Sequence, residues 1–212
     1  MNHIFDFFLD SYRNKEVYII VIEAIILVTG IASVWYAKKE NILVYPTGLV
    51  ATVLAVYLLL KDGLFGDMMM NFYFSIMSIY GWWNWARTKN NEKVVQISRT
   101  NTREKIIGFV LCVLTMIITY IVYKVFGTEI TISNYIDILT SGLFFTGMWY
   151  MAKKKIENWT LWIIADIITV PLYAYRGWGM LSFQYLIFTV LAIQAYFLWK
   201  KSLDKNPQTL LK

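Results

Sequence analysis

The sequence predicts an all-α integral membrane protein: seven transmembrane helices, arranged as two parallel three-helix repeats joined by a linker helix. Three observations carry that prediction. Of 212 residues, 58% are hydrophobic and only 16% charged, with a mean hydropathy of +0.51, too oily for an ordinary soluble domain. Apolar runs of about twenty residues recur, each long enough at ~1.5 Å per residue to cross a ~30 Å hydrocarbon core. The chain also matches itself at an offset of 114 residues. Trp35 and Tyr36 precede a basic loop as Trp149 and Tyr150 do, Gly63 anticipates Gly177, and Trp85 anticipates Trp199.

The elements follow in order. Residues 1–16 lack the basic start and small-residue cleavage site of a signal peptide, and their Phe, Leu and Tyr residues interleave with charges. They are expected to lie along the membrane surface on the extracytoplasmic side. Spanning helices are expected at 17–37, 41–60 and 67–86, which form the first repeat (17–86). A polar loop over 87–103 is expected to be cytoplasmic and mobile. A linker helix at 104–126 carries little polarity beyond Thr115, Thr119, Tyr120 and Tyr123. The second repeat (132–200) holds helices at 132–152, 158–175 and 180–200, before a tail at 201–212. Between the anchors the repeat register is expected to slip by two or three residues, Asn41 answering Asn158 and Tyr57 answering Tyr173. Two directly joined three-helix units would be inverted, because three is odd; the linker helix restores the direction and makes them parallel, so a substrate site is expected at their interface.

Charge sets the expected orientation. With seven spans the Lys and Arg residues divide 5 on the N-terminal side against 15 on the other, which by the positive-inside rule puts the N-terminus outside and the C-terminus in the cytoplasm of a bacterial inner membrane. The net charge of +6 therefore reflects topology, and no nucleic-acid partner is expected. The single cysteine, Cys112, and single histidine, His3, supply neither a disulfide framework nor a metal cluster, so no cofactor is expected. No phosphate-binding glycine loop is present for nucleotide hydrolysis.

Candidate site residues gather on the sixth helix. Trp159, Trp162, Asp166, Thr169 and Tyr173 fall at steps of three and four and make one stripe on an otherwise aliphatic helix. A carboxylate near mid-membrane costs at least ~2.5 kcal/mol on insertion scales, so Asp166 should face a cavity or a partner. The third helix shows Asn71, Ser75, Ser78 and Trp82 on one stripe and Tyr73, Met77, Tyr80 and Asn84 on another, and the seventh carries Gln184 and Gln194. Such amides and aromatic rings can bind a flat polar solute. The serines can equally let helices approach, and the glutamines can bond across helices. Trp82, Trp83, Trp85, Trp159 and Trp199 lie near helix ends, where an interfacial aromatic belt is the ordinary reading. Glu23, Asp137 and Asp166 are the intramembrane acids that could couple transport to an ion.

The stretch KKIENWTLWIIADIITVPLY with its Trp-x-x-Trp-x-x-x-Asp pattern, a final helix ending in Trp199, and YGWWNW closing the third helix resemble the Pnu-type vitamin transporters. That resemblance implies a fold akin to a full-length SWEET sugar transporter. It implies uptake of nicotinamide riboside by facilitated diffusion, with trapping inside by a cytoplasmic kinase. It also implies substrate contacts from the third, sixth and seventh helices. The matching positions here are Trp162, Asp166, Trp159 and Tyr173 in the sixth, Asn71 and Tyr80 in the third, and Gln184 and Gln194 in the seventh. Members carrying thiamine or riboflavin stand as alternatives. A homotrimer in the bilayer is compatible with the oily outer surface. A retinal-type sensor would want a lysine deep in the seventh helix, whereas Lys200 and Lys201 stand at its end, and a membrane enzyme would want an acid pair or a nucleophile with its base.

Overall fold

A computed structural model describes residues 15–61, 65–89, 92–125 and 130–205. The surface segment expected at 1–14, the repeat anchor Gly63 and the end of the tail lie outside the described residues. Seven long helices are found: α1 Val17–Lys38, α2 Val44–Lys61, α3 Phe65–Ala86, α4 Thr102–Val125, α5 Ile132–Ala152, α6 Glu157–Tyr175 and α7 Gly179–Lys205. Two of the helix starts are written in the sequence as reciprocal caps. Before α4, Asn101 accepts from the Glu104 amide at 2.8 Å while the Asn101 amide donates to Glu104 at 3.0 Å. Before α5 the Thr131 amide donates to Asn134 at 2.9 Å.

Six of the helices close a ring. α1 packs on α2, α2 on α3, α3 on α5, α5 on α6, α6 on α7 and α7 back on α1, while α4 lies outside against α5. The ring is the two repeats placed face to face, with α3·α5 and α7·α1 as the two equivalent seams. By composition alone α1, α2, α4 and α7 are long and apolar enough to cross a membrane. The more polar α3, α5 and α6 turn their polar residues inward: Ser75, Ser78, Asn84, Thr140, Thr146, Asp166 and Thr169 are all buried. Seams form where the chain bonds across helices. Ser75 donates to Thr52 at 2.8 Å between α3 and α2, and the Asn84 amide donates to the Ala152 carbonyl at 2.9 Å between α3 and α5. The linker helix is held by close approach, since a Cβ at Gly142 would lie 2.9 Å from the Cys112 carbonyl on α4.

The repeat holds in the backbone at a constant offset, which corrects the expected slip. Lys39 and Lys153 cap α1 and α5 with nearly the same dihedrals, and the next residues, Glu40 and Lys154, share a left-handed conformation with φ of 54° and 52°. The Asn41 amide then donates to Tyr36 and the Lys155 amide to Tyr150, both at 2.9 Å. Two non-glycine residues in this strained region at matching positions are a structural signature of duplication that no residue identity carries, because Glu and Lys look unrelated. Tyr45 is therefore the counterpart of Trp159, and Gly48 of Trp162.

The expectation of a mobile loop is also corrected. A short antiparallel pair, β1 Thr88–Lys89 with β2 Glu92–Lys93, leads into a segment that docks on the α5–α6 turn. The Ser98 amide donates to the Lys154 carbonyl at 3.1 Å and the Ile156 amide to Ser98 at 3.0 Å. Ile97 is buried in the core, the Thr100 amide donates to Glu157 at 3.0 Å, and Lys155 pairs with Glu104 at 2.9 Å. Backbone pairing and a buried anchor residue hold this loop in place, and charge composition alone does not reveal either.

One prediction arises from packing. A Cβ at Gly81 would lie 2.3 Å from the Tyr45 ring, which is itself fully buried. Gly81→Ala must displace a rigid ring, so it should destabilise the fold by roughly 1–3 kcal/mol and lower the unfolding temperature in detergent by several degrees. An unchanged temperature would show that the α2–α3 seam is looser than this contact implies.

Candidate functional site

At the end of the ring that carries the basic turns, four aromatic residues form a sealed layer. Tyr45 meets Trp85 edge-on at 5.1 Å, Trp159 meets Trp199 edge-on at 5.4 Å, and the two pairs join through Trp85 and Trp199 at 6.2 Å. The pairs are copies of one another, 114 residues apart. Trp85, Trp159 and Trp199 are buried, which corrects the reading of them as belt residues; Trp82 and Trp83 do face outward. Burial inside the ring outweighs position near a helix end, because the ring brings these indoles together from both repeats. Over the layer, Lys154 pairs with Glu40 at 3.1 Å and lies 4.5 Å from the Trp85 ring, with 2% of the lysine exposed against 34% of the glutamate. The two partners of this pair are themselves repeat counterparts, so it sits on the pseudo-twofold axis.

Just inside the aromatic layer is a cavity with room for a few water molecules, lined by Ser33, Val34 and Ala37 of α1, Val44 and Tyr45 of α2, Ser78 of α3, Met148 and Met151 of α5 and Trp162 of α6. Both repeats contribute. Trp162 lies against Gly147, where a Cβ would approach its Nε1 to 2.3 Å, and meets Trp159 edge-on at 5.5 Å. One helical turn further along α6, Asp166 is 3% exposed and makes no hydrogen bond or ion pair among the described residues. Its field reaches Tyr185 on α7. A desolvated carboxylate without a protein cation beside it is poised to receive a cation from elsewhere.

The predicted residues divide by place. Trp162, Trp159 and Tyr80 come together at the basic end, Tyr80 packing with Trp162 against Met77, Met148 and Ala152. Tyr173 stands further out, edge-on to Tyr185 at 5.2 Å. Asn71 donates to the Asp67 carbonyl one turn back at 2.9 Å, and Gln184 rests against Gly30 of α1. Gln194 is exposed and accepts from Lys38 at 2.6 Å. None of these three amides lines the cavity. Of the other acids, Glu23 pairs with Lys15 at 2.5 Å and Asp137 with Arg176 at 2.6 Å. Tyr123 donates to the same Asp137 carboxylate at 3.0 Å. Reading helix stripes missed Ser33, Tyr45, Met148, Met151, Glu40 and Lys154. The offset of 114, carried strictly through the turn, would have found Tyr45, Glu40 and Lys154.

A protein family described as nicotinamide mononucleotide transporter matches residues 20–201. The chain belongs to the nicotinamide mononucleotide transporter family. Similar members include the nicotinamide riboside transporter PnuC of Escherichia coli (strain K12) and that of Shigella flexneri. Each is 25% identical over 204 residues, with 85% of either chain covered. A crystal structure of the vitamin B3 transporter PnuC shares the fold, with a TM-score of 0.68 at 22% identity, covering 87% of this chain and 82% of that one. The family accounts for the architecture found here: a multi-pass membrane transporter for a small molecule, with the sealed layer and the cavity both built from the meeting of its two repeats.

Proposed function

We propose that the chain carries nicotinamide riboside across the membrane by facilitated diffusion, and that a cytoplasmic kinase traps the riboside by adding a phosphate. The observation that carries this reading is Asp166, buried and without an ion pair among the described residues, one turn from Trp162 at the repeat interface. Nicotinamide riboside is a flat cation, and a desolvated carboxylate beside an aromatic face suits that combination. The relatives named as nicotinamide riboside transporters support the same vitamin. Thiamine is also a flat cation, so substrate choice must be measured. The basic end is the cytoplasmic one in this reading, following the 5 to 15 division of Lys and Arg. Phosphorylation there adds ~1.5–2 negative charges, which Asp166 would repel.

A thermal-shift panel on detergent-purified protein tests the substrate. A ligand bound only by the folded state raises its stability by about 2.7 kcal/mol at a hundredfold excess over Kd. Nicotinamide riboside is expected to stabilise the protein, with nicotinamide mononucleotide, riboflavin and a disaccharide without effect; stabilisation by thiamine alone would reassign the vitamin. Proteoliposomes test the mechanism. Without a kinase or an ion gradient the riboside should equilibrate and stop, and accumulation above the external level would disprove uniport.

A further inference from the structure

The two repeats differ at one place in the ring, and that place is the cavity. In the second repeat the Trp162 indole lies on Gly147 and packs among Met148, Met151 and Trp159. The counterparts of those residues in the first repeat are Ser33, Val34, Ala37 and Tyr45, and all four line the cavity. The counterpart of Trp162 itself is Gly48, which closes against Ser33: a Cβ there would lie 2.9 Å from the Ser33 hydroxyl. The first repeat thus keeps the walls of an indole site without the indole. Trp162 from the other repeat forms one side of it.

Two hydroxyls face this space. Ser33 donates to the Val44 carbonyl at 2.8 Å, leaving its oxygen lone pairs to accept. Ser78 is 3% exposed and makes no hydrogen bond to another described residue, so both its donor and its acceptor remain available. Met148 and Met151 complete the wall with unbranched side chains that can yield to a ring.

Resting on the functional reading above, we infer that the cavity is the seat of a flat six-membered heteroaromatic ring bearing a polar substituent. The ring takes the pseudosymmetric place of the Trp162 indole, with Ser33 and Ser78 at its polar edge and the rest of the carried molecule extending along α6 toward Asp166. Gly48 and Val34 then set specificity, because their small size keeps the site open.

Substitutions that import the second repeat's residues test this. Wild type, Val34→Met, Ser78→Ala and the double variant Ser33→Gly with Gly48→Trp are titrated calorimetrically with nicotinamide riboside and with thiamine, and their unfolding temperatures are recorded without ligand. The double variant recreates the Gly147 and Trp162 pair and should fold. Val34→Met and the double variant are expected to lose more than ~100-fold in affinity for the ligand that wild type binds, and Ser78→Ala roughly tenfold, at unchanged unfolding temperature. Affinity within threefold of wild type for Val34→Met and the double variant overturns the ring seat while leaving the transporter reading intact. If the double variant fails to fold, Val34→Met decides alone. Wild type that binds neither ligand overturns both readings.

Discussion

Asp166→Asn is expected to weaken binding of nicotinamide riboside about a hundredfold, equivalent to ~2.7 kcal/mol, while leaving the protein as stable as wild type or more so. The two halves of this expectation have one cause. Asp166 is buried in α6 and forms no ion pair among the described residues, so the fold carries the cost of desolvating a carboxylate and recovers it only when a cation arrives. On insertion scales that cost is at least ~2.5 kcal/mol, and asparagine removes most of it at nearly constant volume. Calorimetric titration gives the first quantity and thermal unfolding in detergent the second. Equal affinity in variant and wild type would show that Asp166 does not read the charge of the substrate. Lower stability in the variant would show that the carboxylate is held by the fold, and its role would then be structural.

The second large effect belongs to the ion pair on the pseudo-twofold axis. Glu40→Lys places two cations where Glu40 and Lys154 now meet at 3.1 Å, directly over the aromatic layer. Because Glu40 keeps about a third of its side chain exposed, the cost is discounted from that of a fully buried pair, to about 1–3 kcal/mol. The swap of both residues, Glu40→Lys with Lys154→Glu, should recover more than half of the loss. The two positions share one backbone conformation, with φ of 54° and 52°, so each can hold the other's residue without new strain. Unfolding temperatures and riboside flux into proteoliposomes measure the series. The single variant is expected to change flux because the pair fastens the two repeats where the layer is sealed. A swap that restores neither stability nor flux would show that the neighbouring contacts of Lys154, with Trp85 and the docked loop, matter more than the pair.

Local sequence determined a great deal of this protein. Periodic apolar runs of membrane-spanning length place the seven helices to within a few residues, because a bilayer admits only helices or closed barrels and the period here is helical. Reciprocal polar residues at Asn101 and Glu104, and at Thr131 and Asn134, mark two starts by local hydrogen bonding. The parallel repeats followed from a count of helices and from Trp35, Trp85, Trp149 and Trp199. Asp166 stood out because an acid in an oily helix is expensive.

Tertiary structure decided what those residues face. Trp85, Trp159 and Trp199 lie near helix ends as belt residues would, and only the closing of the ring buries them. Gln184 and Gln194 occupy plausible depths on α7, yet the rotation of that helix against α1 turns them to Gly30 and Lys38. The loop before α4 is polar in composition and is pinned by the Ser98 backbone, whose bonds to Lys154 and Ile156 depend on partners more than fifty residues away. Helix position along the membrane is a one-dimensional property of hydropathy. Helix rotation and neighbour choice are set by packing across the ring, where a glycine against an indole or a serine against a glycine determines which face turns inward.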